Sequence, residues 1–143
     1  MGGVKMSNRK MFALTVACGL LLSVGRAEAT ELGDLCWLTA KGTLLRFSVT
    51  QSGVNHYTYT GLFDDGDGIS YALIGEVALV GSNLHGVFTG SKTTPTYFRT
   101  GVWDVSFTTS LTGAVTGIRN TYLNGSVVTD YQTTTVTPTT CPP

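Results

Sequence analysis

The side chains that could do chemistry are few and scattered. Phe63-Asp64-Asp65-Gly66-Asp67-Gly68 is the one dense acidic cluster. Calcium loops space their carboxylates alternately and close on a bidentate Glu. Here Asp65 and Asp67 alternate and Gly68 follows, but Phe63 holds the third alternating position. No Glu closes the loop, because Glu76 falls in the following strand segment. The cluster therefore reads as a hairpin loop with Asp-Gly turn chemistry, and no metal site is assigned. His56 and His85 have no Ser, Cys or carboxylate at a telling spacing and read as surface residues. Glu76, Asp104 and Asp130 stand singly on different strand segments, each facing outward, which does not assemble the acid pair of glycoside hydrolysis. Gly-x-Ser-x-Gly, phosphate-loop and zinc signatures do not occur. No catalytic residue and no cofactor are assigned; a secreted hydrolase ranks last among the functions considered.

What remains is chemistry of binding. Arg99 shares parity with Gly101, Trp103, Val105 and Phe107. If that face points inward without a break, a guanidinium enters the interior or its mouth. The alternative is a strand that becomes regular after Thr100, with Arg99 in the preceding loop. Tyr57 and Tyr59 share a face with Phe63. Tyr57, Tyr59, Arg99 and Trp103 are the candidate ligand-binding residues, although aromatics in a small barrel commonly serve as core.

The elements that would position these residues are strands. Turn signals recur every eight to fourteen residues, from Lys41-Gly42 through Asn124-Gly125. The segments between them are rich in Val, Thr, Tyr, Phe and Leu. Such spacing argues for an all-β sandwich or barrel. Strands are predicted at 35–40, 43–51, 55–63, 69–80, 83–91, 96–109, 113–123 and 126–137. Alternation is clear at Leu45, Phe47 and Val49 against Arg46, Ser48 and Thr50, and at Trp103, Val105 and Phe107 against Asp104, Ser106 and Thr108. One apolar and one polar face is the antiparallel signature. Short connections imply an up-and-down meander, and closure into a small barrel removes its two exposed edges. A two-sheet β-sandwich is the alternative.

Lys5, Arg9 and Lys10 precede an apolar run from Met11 to Val24, and Ala27-Glu28-Ala29 supplies a small-x-small cleavage site. Residues 1–29 read as a signal peptide, too short in its apolar part to span a bilayer comfortably. An uncleaved anchor and lipidation at Cys18 are the alternatives. Residues 30–143 then form a single domain, with Thr137 onward a Thr/Pro-rich tail, exported to a periplasm or the extracellular space. Loss of Lys5, Arg9, Lys10, Arg26 and Glu28 leaves five basic and eight acidic residues, a net charge of −3. That balance argues against nucleic acid as a partner, and the 42% hydrophobic content argues against disorder. No stable membrane insertion is expected after cleavage. Two cysteines remain, Cys36 and Cys141, near the two ends of the mature chain. In an exported chain they read as a disulfide, and closure of the meander would bring its first and last strands together there.

A short exported meander with Trp37 in strand one and Arg119 in strand seven resembles the calycin group, the lipocalins and avidins. The resemblance implies a closed barrel in which such a pair stacks at the closed end. Lipocalins carry Gly-x-Trp, whereas Gly33 lies four residues before Trp37. The run Cys36-Trp37-Leu38 followed by Leu44 to Val49 also resembles small exported bacterial proteins of unassigned function. The expectation is a non-catalytic binder of a small apolar or amphipathic ligand. The alternative is an interaction or inhibitor protein that uses its rim loops.

Overall fold

A computed structural model describes residues 28–143. The segment read as a signal peptide, 1–29, lies outside the described residues except for its last two positions. Eight antiparallel strands follow one another: β1 (Thr30–Thr39), β2 (Leu44–Gly53), β3 (His56–Asp64), β4 (Ser70–Val80), β5 (Asn83–Thr93), β6 (Phe98–Thr108), β7 (Gly113–Leu123) and β8 (Ser126–Thr139). Each pairs with the next, and β1 pairs with β8, so the ring of hydrogen bonds closes into a barrel. No helix occurs among the described residues.

The alternation read from sequence sets the burial. Trp103, Val105 and Phe107 are buried, while Asp104, Ser106 and Thr108 face water. Asn124 and Gly125 both take positive φ, 50° and 77°, as a two-residue type I′ turn requires. Most strand limits fall within one or two residues of the sequence reading, and the differences at β1 and β8 bear on closure. β1 begins at Thr30, five residues early, because a register shift between Glu31 and Gly33 lets its polar start stay paired with β2. β8 runs to Thr139, because Thr137, Pro138 and Thr139 pair with Leu38, Trp37 and Cys36. The free tail is therefore only the last residues, not Thr137 onward.

The closing seam is short: Cys36 to Thr39 against Val136 to Thr139. Above it, β8 pairs with β7 alone. Cys36 and Cys141 are disulfide-bonded beside this seam, with Cα atoms 5.1 Å apart. The tail beyond lies on the outer wall, where Arg46 Nη1 donates to the Pro142 carbonyl (3.3 Å) and Arg46 Nη2 to Asp34 (2.8 Å).

Inward residues form layers across the strands. One layer reads Tyr59, Gly75, Phe88, Trp103, Gly117 and Gln132, each opposite the next. Glycines separate its large residues except at the neighbouring pair Phe88 and Trp103. A Cβ on Gly75 would strike the Phe88 ring, and a Cβ on Gly117 or Gly101 would strike Trp103. These glycines seat aromatic rings, from the neighbouring strand at Gly75 and Gly117 and from two residues along the same strand at Gly101, rather than opening empty space. Trp37, fully buried, packs edge-on to Phe47 and Phe107 and stacks with Tyr59 and Phe88, with centroids 6.0 and 6.1 Å away. Such aromatic contacts add to plain area burial, and this cluster is the packed centre.

Candidate functional site

The aromatic centre divides the interior. On the side of the β1–β2, β3–β4, β5–β6 and β7–β8 turns lies a cavity of about 290 Å³. Its wall is apolar below, with Leu45, Phe63, Leu73, Phe88, Trp103 and Val136. Gln132, Thr134, Arg119 and Asp65 line it nearer the rim. Trp103 Nε1 donates to Gln132 Oε1 at 3.1 Å, which fixes the indole against the polar side. The volume falls just under the ~300–1,000 Å³ range of small-molecule sites, whose walls are mostly apolar with a few polar groups. This wall is more polar than that, since Thr39, Lys41, Thr43 and Thr133 line it as well. On the opposite side a second cavity of about 410 Å³ is lined by Leu35, Val49, Tyr57, Tyr59, Leu79 and Leu111, among others.

The four residues singled out from sequence are thus not one constellation. Tyr57 and Tyr59 line the second cavity, and Trp103 lines the first. Burial pushes the Tyr59 hydroxyl up to about 12, with the neighbouring Tyr57 adding to it. Arg99 lies within β6, not in the loop before it, and reaches the mouth of the first cavity. The reason is register: Arg99 pairs with Lys92 and Thr121, so β6 is already regular before Thr100.

Around that mouth three cations converge on one carboxylate. Asp65 accepts from Lys92 Nζ on one oxygen and, on the other, from Arg99 Nη1 (3.1 Å) and Arg119 Nη1 (2.9 Å). Lys92 Nζ also donates to Asp67 (2.7 Å) and to the Ile69 carbonyl (3.2 Å). It sits 4.8 Å from the Tyr71 ring centre, within cation–π reach. The Lys92 side chain is 0% exposed and Asp65 10%. Arg99 further donates to Thr121 Oγ1 (2.9 Å) and Tyr97 Oη (3.3 Å). Arg119 Nη2 donates to Asp130 (3.1 Å), while its Nε is buried with no hydrogen-bond partner among the described residues. The Trp37–Arg119 stack that the resemblance implied does not form, because Trp37 is taken up by Phe47, Tyr59, Phe88 and Phe107 in the aromatic centre.

Burial by itself would lower the Lys92 pKa, but the hydrogen bonds to Asp65 and Asp67 outweigh it and leave the ammonium raised. The same balance holds for Arg119, where burial is outweighed by the bond to Asp130 and the neighbouring Tyr71 and Asp65. Asp67 is held well below the carboxylate range, first by Lys92 and then by Tyr97, which also donates to it. Ionised partners strengthen such bonds.

One reading from sequence is extended here and one is corrected. The Asp64–Gly68 segment is the β3–β4 hairpin loop with Asx turn bonds, and it also carries ion pairs. Asp64 Oδ1 takes the Gly66 and Gly68 N–H groups (2.8 and 3.2 Å), which folds the loop inward and delivers Asp65 and Asp67 to the cations. The carboxylate oxygens of Asp64, Asp65 and Asp67 come within 4.8 Å of one another, with the Lys92 ammonium bonded to two of these residues. Asp130 does not face outward; it is partly buried and opposite Arg119. Its inward parity follows from β8 running through Gln132, Thr134 and Val136. The residue missed in the sequence was Lys92. A strand ending at Ser91 excludes it, yet its parity with Leu84 and Phe88 marks it as inward once β5 extends to Thr93.

Comparison with protein-family models, with curated proteins and with solved structures finds no match to this chain.

Proposed function

We propose that the mature chain is an exported, calycin-like, non-catalytic carrier that holds a small amphipathic ligand in the cavity beneath Arg119. The observation that carries this reading is the cavity's polarity gradient: Leu73, Phe88, Trp103 and Val136 at its base, Gln132, Arg119 and Asp65 toward its mouth. An apolar body gains burial at the base, and a polar end finds donors at the rim. The outer wall mixes polar positions such as Arg46, Glu76 and Asp104 with exposed apolar ones such as Ile74, Val102 and Ile118, while the packed aromatic interior differs from the polar lumen of lipid-facing barrels. The basic and apolar start of the sequence and the disulfide support export to a periplasm or the extracellular space. Native mass spectrometry of protein from its own host tests the reading. A retained small-molecule mass is expected, and it should vanish in Thr134→Trp, which fills the cavity from β8. Bare polypeptide mass together with no uptake of an apolar dye by the purified protein would reject it.

A second reading, a macromolecular partner held at the rim, is favoured by one feature. Phe98 and Tyr122 pair on the outer wall with ring centres 5.7 Å apart, and Val127 stands opposite Tyr122; all are exposed. Loss of a captured partner from Phe98→Ser with ligand uptake intact would favour that reading.

A further inference from the structure

We propose that the mouth of the first cavity is a carboxylate site filled in the free protein by the chain's own Asp65, and that the cavity's ligand is an amphiphile with a single carboxylate head that displaces it. The inference rests on the carrier reading above and adds the chemical class of the ligand and a built-in competitor for its site.

The charge balance leads to it. Lys92 has a second carboxylate in Asp67, and Arg119 has a second in Asp130. Arg99 has Asp65 alone. Withdrawal of Asp65 therefore leaves Arg99 without a carboxylate partner, at a mouth whose floor is apolar. Asp64, held by the Gly66 and Gly68 N–H groups, and Lys41, on the cavity wall, add one charge of each sign and leave that balance unchanged. An isolated buried charge is costly, so the site without Asp65 favours a monoanion. Asp67 and Asp130 stay beside it and would repel the second charge of a phosphate monoester. The bonding pattern fits a two-oxygen head: Lys92 on one oxygen of Asp65, Arg99 and Arg119 on the other. A head that reached slightly deeper than Asp65 would also meet the unpartnered Nε of Arg119.

The competitor is carried on a segment able to leave. Asp65 is delivered by the β3–β4 turn, whose Gly66, Asp67 and Gly68 are exposed. Gly66 and Gly68 take φ of 104° and 79°, values open to glycine. The turn is bonded to the barrel through Asp65, Asp67 and the Ile69 carbonyl. A ligand carboxylate would replace the first of these and leave the others in place.

Octanoate and octan-1-ol, equal in chain length and different in charge, are the probes. Isothermal titration of wild type and Asp65→Asn at neutral pH is the test. Octanoate should bind Asp65→Asn at least tenfold more tightly than wild type, with octanol changed by less than twofold. Equal gains for both probes, or no gain for octanoate, would overturn the inference alone. If neither probe binds either protein, the carrier reading falls and takes the inference with it. Should Asp65→Asn fail to fold, wild type decides the question through its amide spectrum. Octanoate should then shift the Asp65, Gly66 and Gly68 resonances and octanol should not; identical shifts from the two probes would overturn the proposal.

Discussion

Lys92 and Asp65, 27 residues apart in sequence, meet at the mouth of the barrel, and the lysine side chain is wholly buried in doing so. The contact joins β5 to the β3–β4 turn and holds the acidic loop over the cavity. Lys92→Met keeps the apolar stem but leaves Asp65 and Asp67 without their shared ammonium. A loss of about 3 kcal/mol is expected, the lower end for breaking a buried pair by removing one partner, since Arg99 and Arg119 still hold Asp65. Urea unfolding measures it; a change under about 1 kcal/mol, the range of surface pairs, would show that the pair does not hold the loop.

Trp103 lies in the inward layer and Asp104 on the wall. Trp103→Ala should cost about 3–5 kcal/mol, and Asp104→Ala should stay within about 0.5 kcal/mol. A mild first and severe second effect in denaturant unfolding would mean that the face is inverted.

Gly75 and Gly101 each give up a side chain to a ring lying over them. A methyl there forces Phe88 or Trp103 off its seat. Gly75→Ala and Gly101→Ala should each destabilise by about 1–3 kcal/mol, the usual cost of overpacking. Unchanged melting temperatures in both would refute this packing.

The Cys36–Cys141 bond spans 105 residues beside the short β1–β8 seam. In the chain-entropy account a loop of that length contributes up to ~4–5 kcal/mol. Thiol titration of the denatured, unreduced protein should find none free among residues 30–143, and reduction should lower the unfolding midpoint sharply. An unchanged midpoint on reduction would place the seam's stability elsewhere.

The pH profile of stability should fall at both ends. Asp67 is held below its ordinary value of 3.8, so the unfolded chain takes up that proton first as pH drops. Its stabilisation is present above about pH 4 and is lost in more acid solution. Tyr59 is raised from 10.0 to about 12, and Lys92 above 10.5. The unfolded chain gives up these protons earlier, so their stabilisation is complete below about pH 10 and drains away as pH climbs toward 12. Guanidinium unfolding across the range measures it, and a stability that is flat from pH 10 to 12 would contradict the assignment.

Strand parity is a local property, and the sequence determined it. Leu45, Phe47 and Val49, or Trp103, Val105 and Phe107, had to face inward whatever their neighbours, because a one-residue slip buries the polar set instead. Asn124-Gly125 likewise determined its own turn. The spacing of turns then pointed to a meander, with a two-sheet sandwich as the alternative, and the placement of Cys36 and Cys141 agreed with a closed one. The site was decided at another level. Which layer a residue joins depends on the register of every strand around the ring, and that stagger is set by closure. Only closure brings Lys92, Arg99 and Arg119, from three strands, under one turn between two others. The same stagger sends Tyr59 and Trp103, members of one layer, to opposite sides of the Trp37 cluster. Asp65 looked like turn chemistry because its partners lie 27, 34 and 54 residues away. Periodicity along a single strand carries no information about contacts at that range.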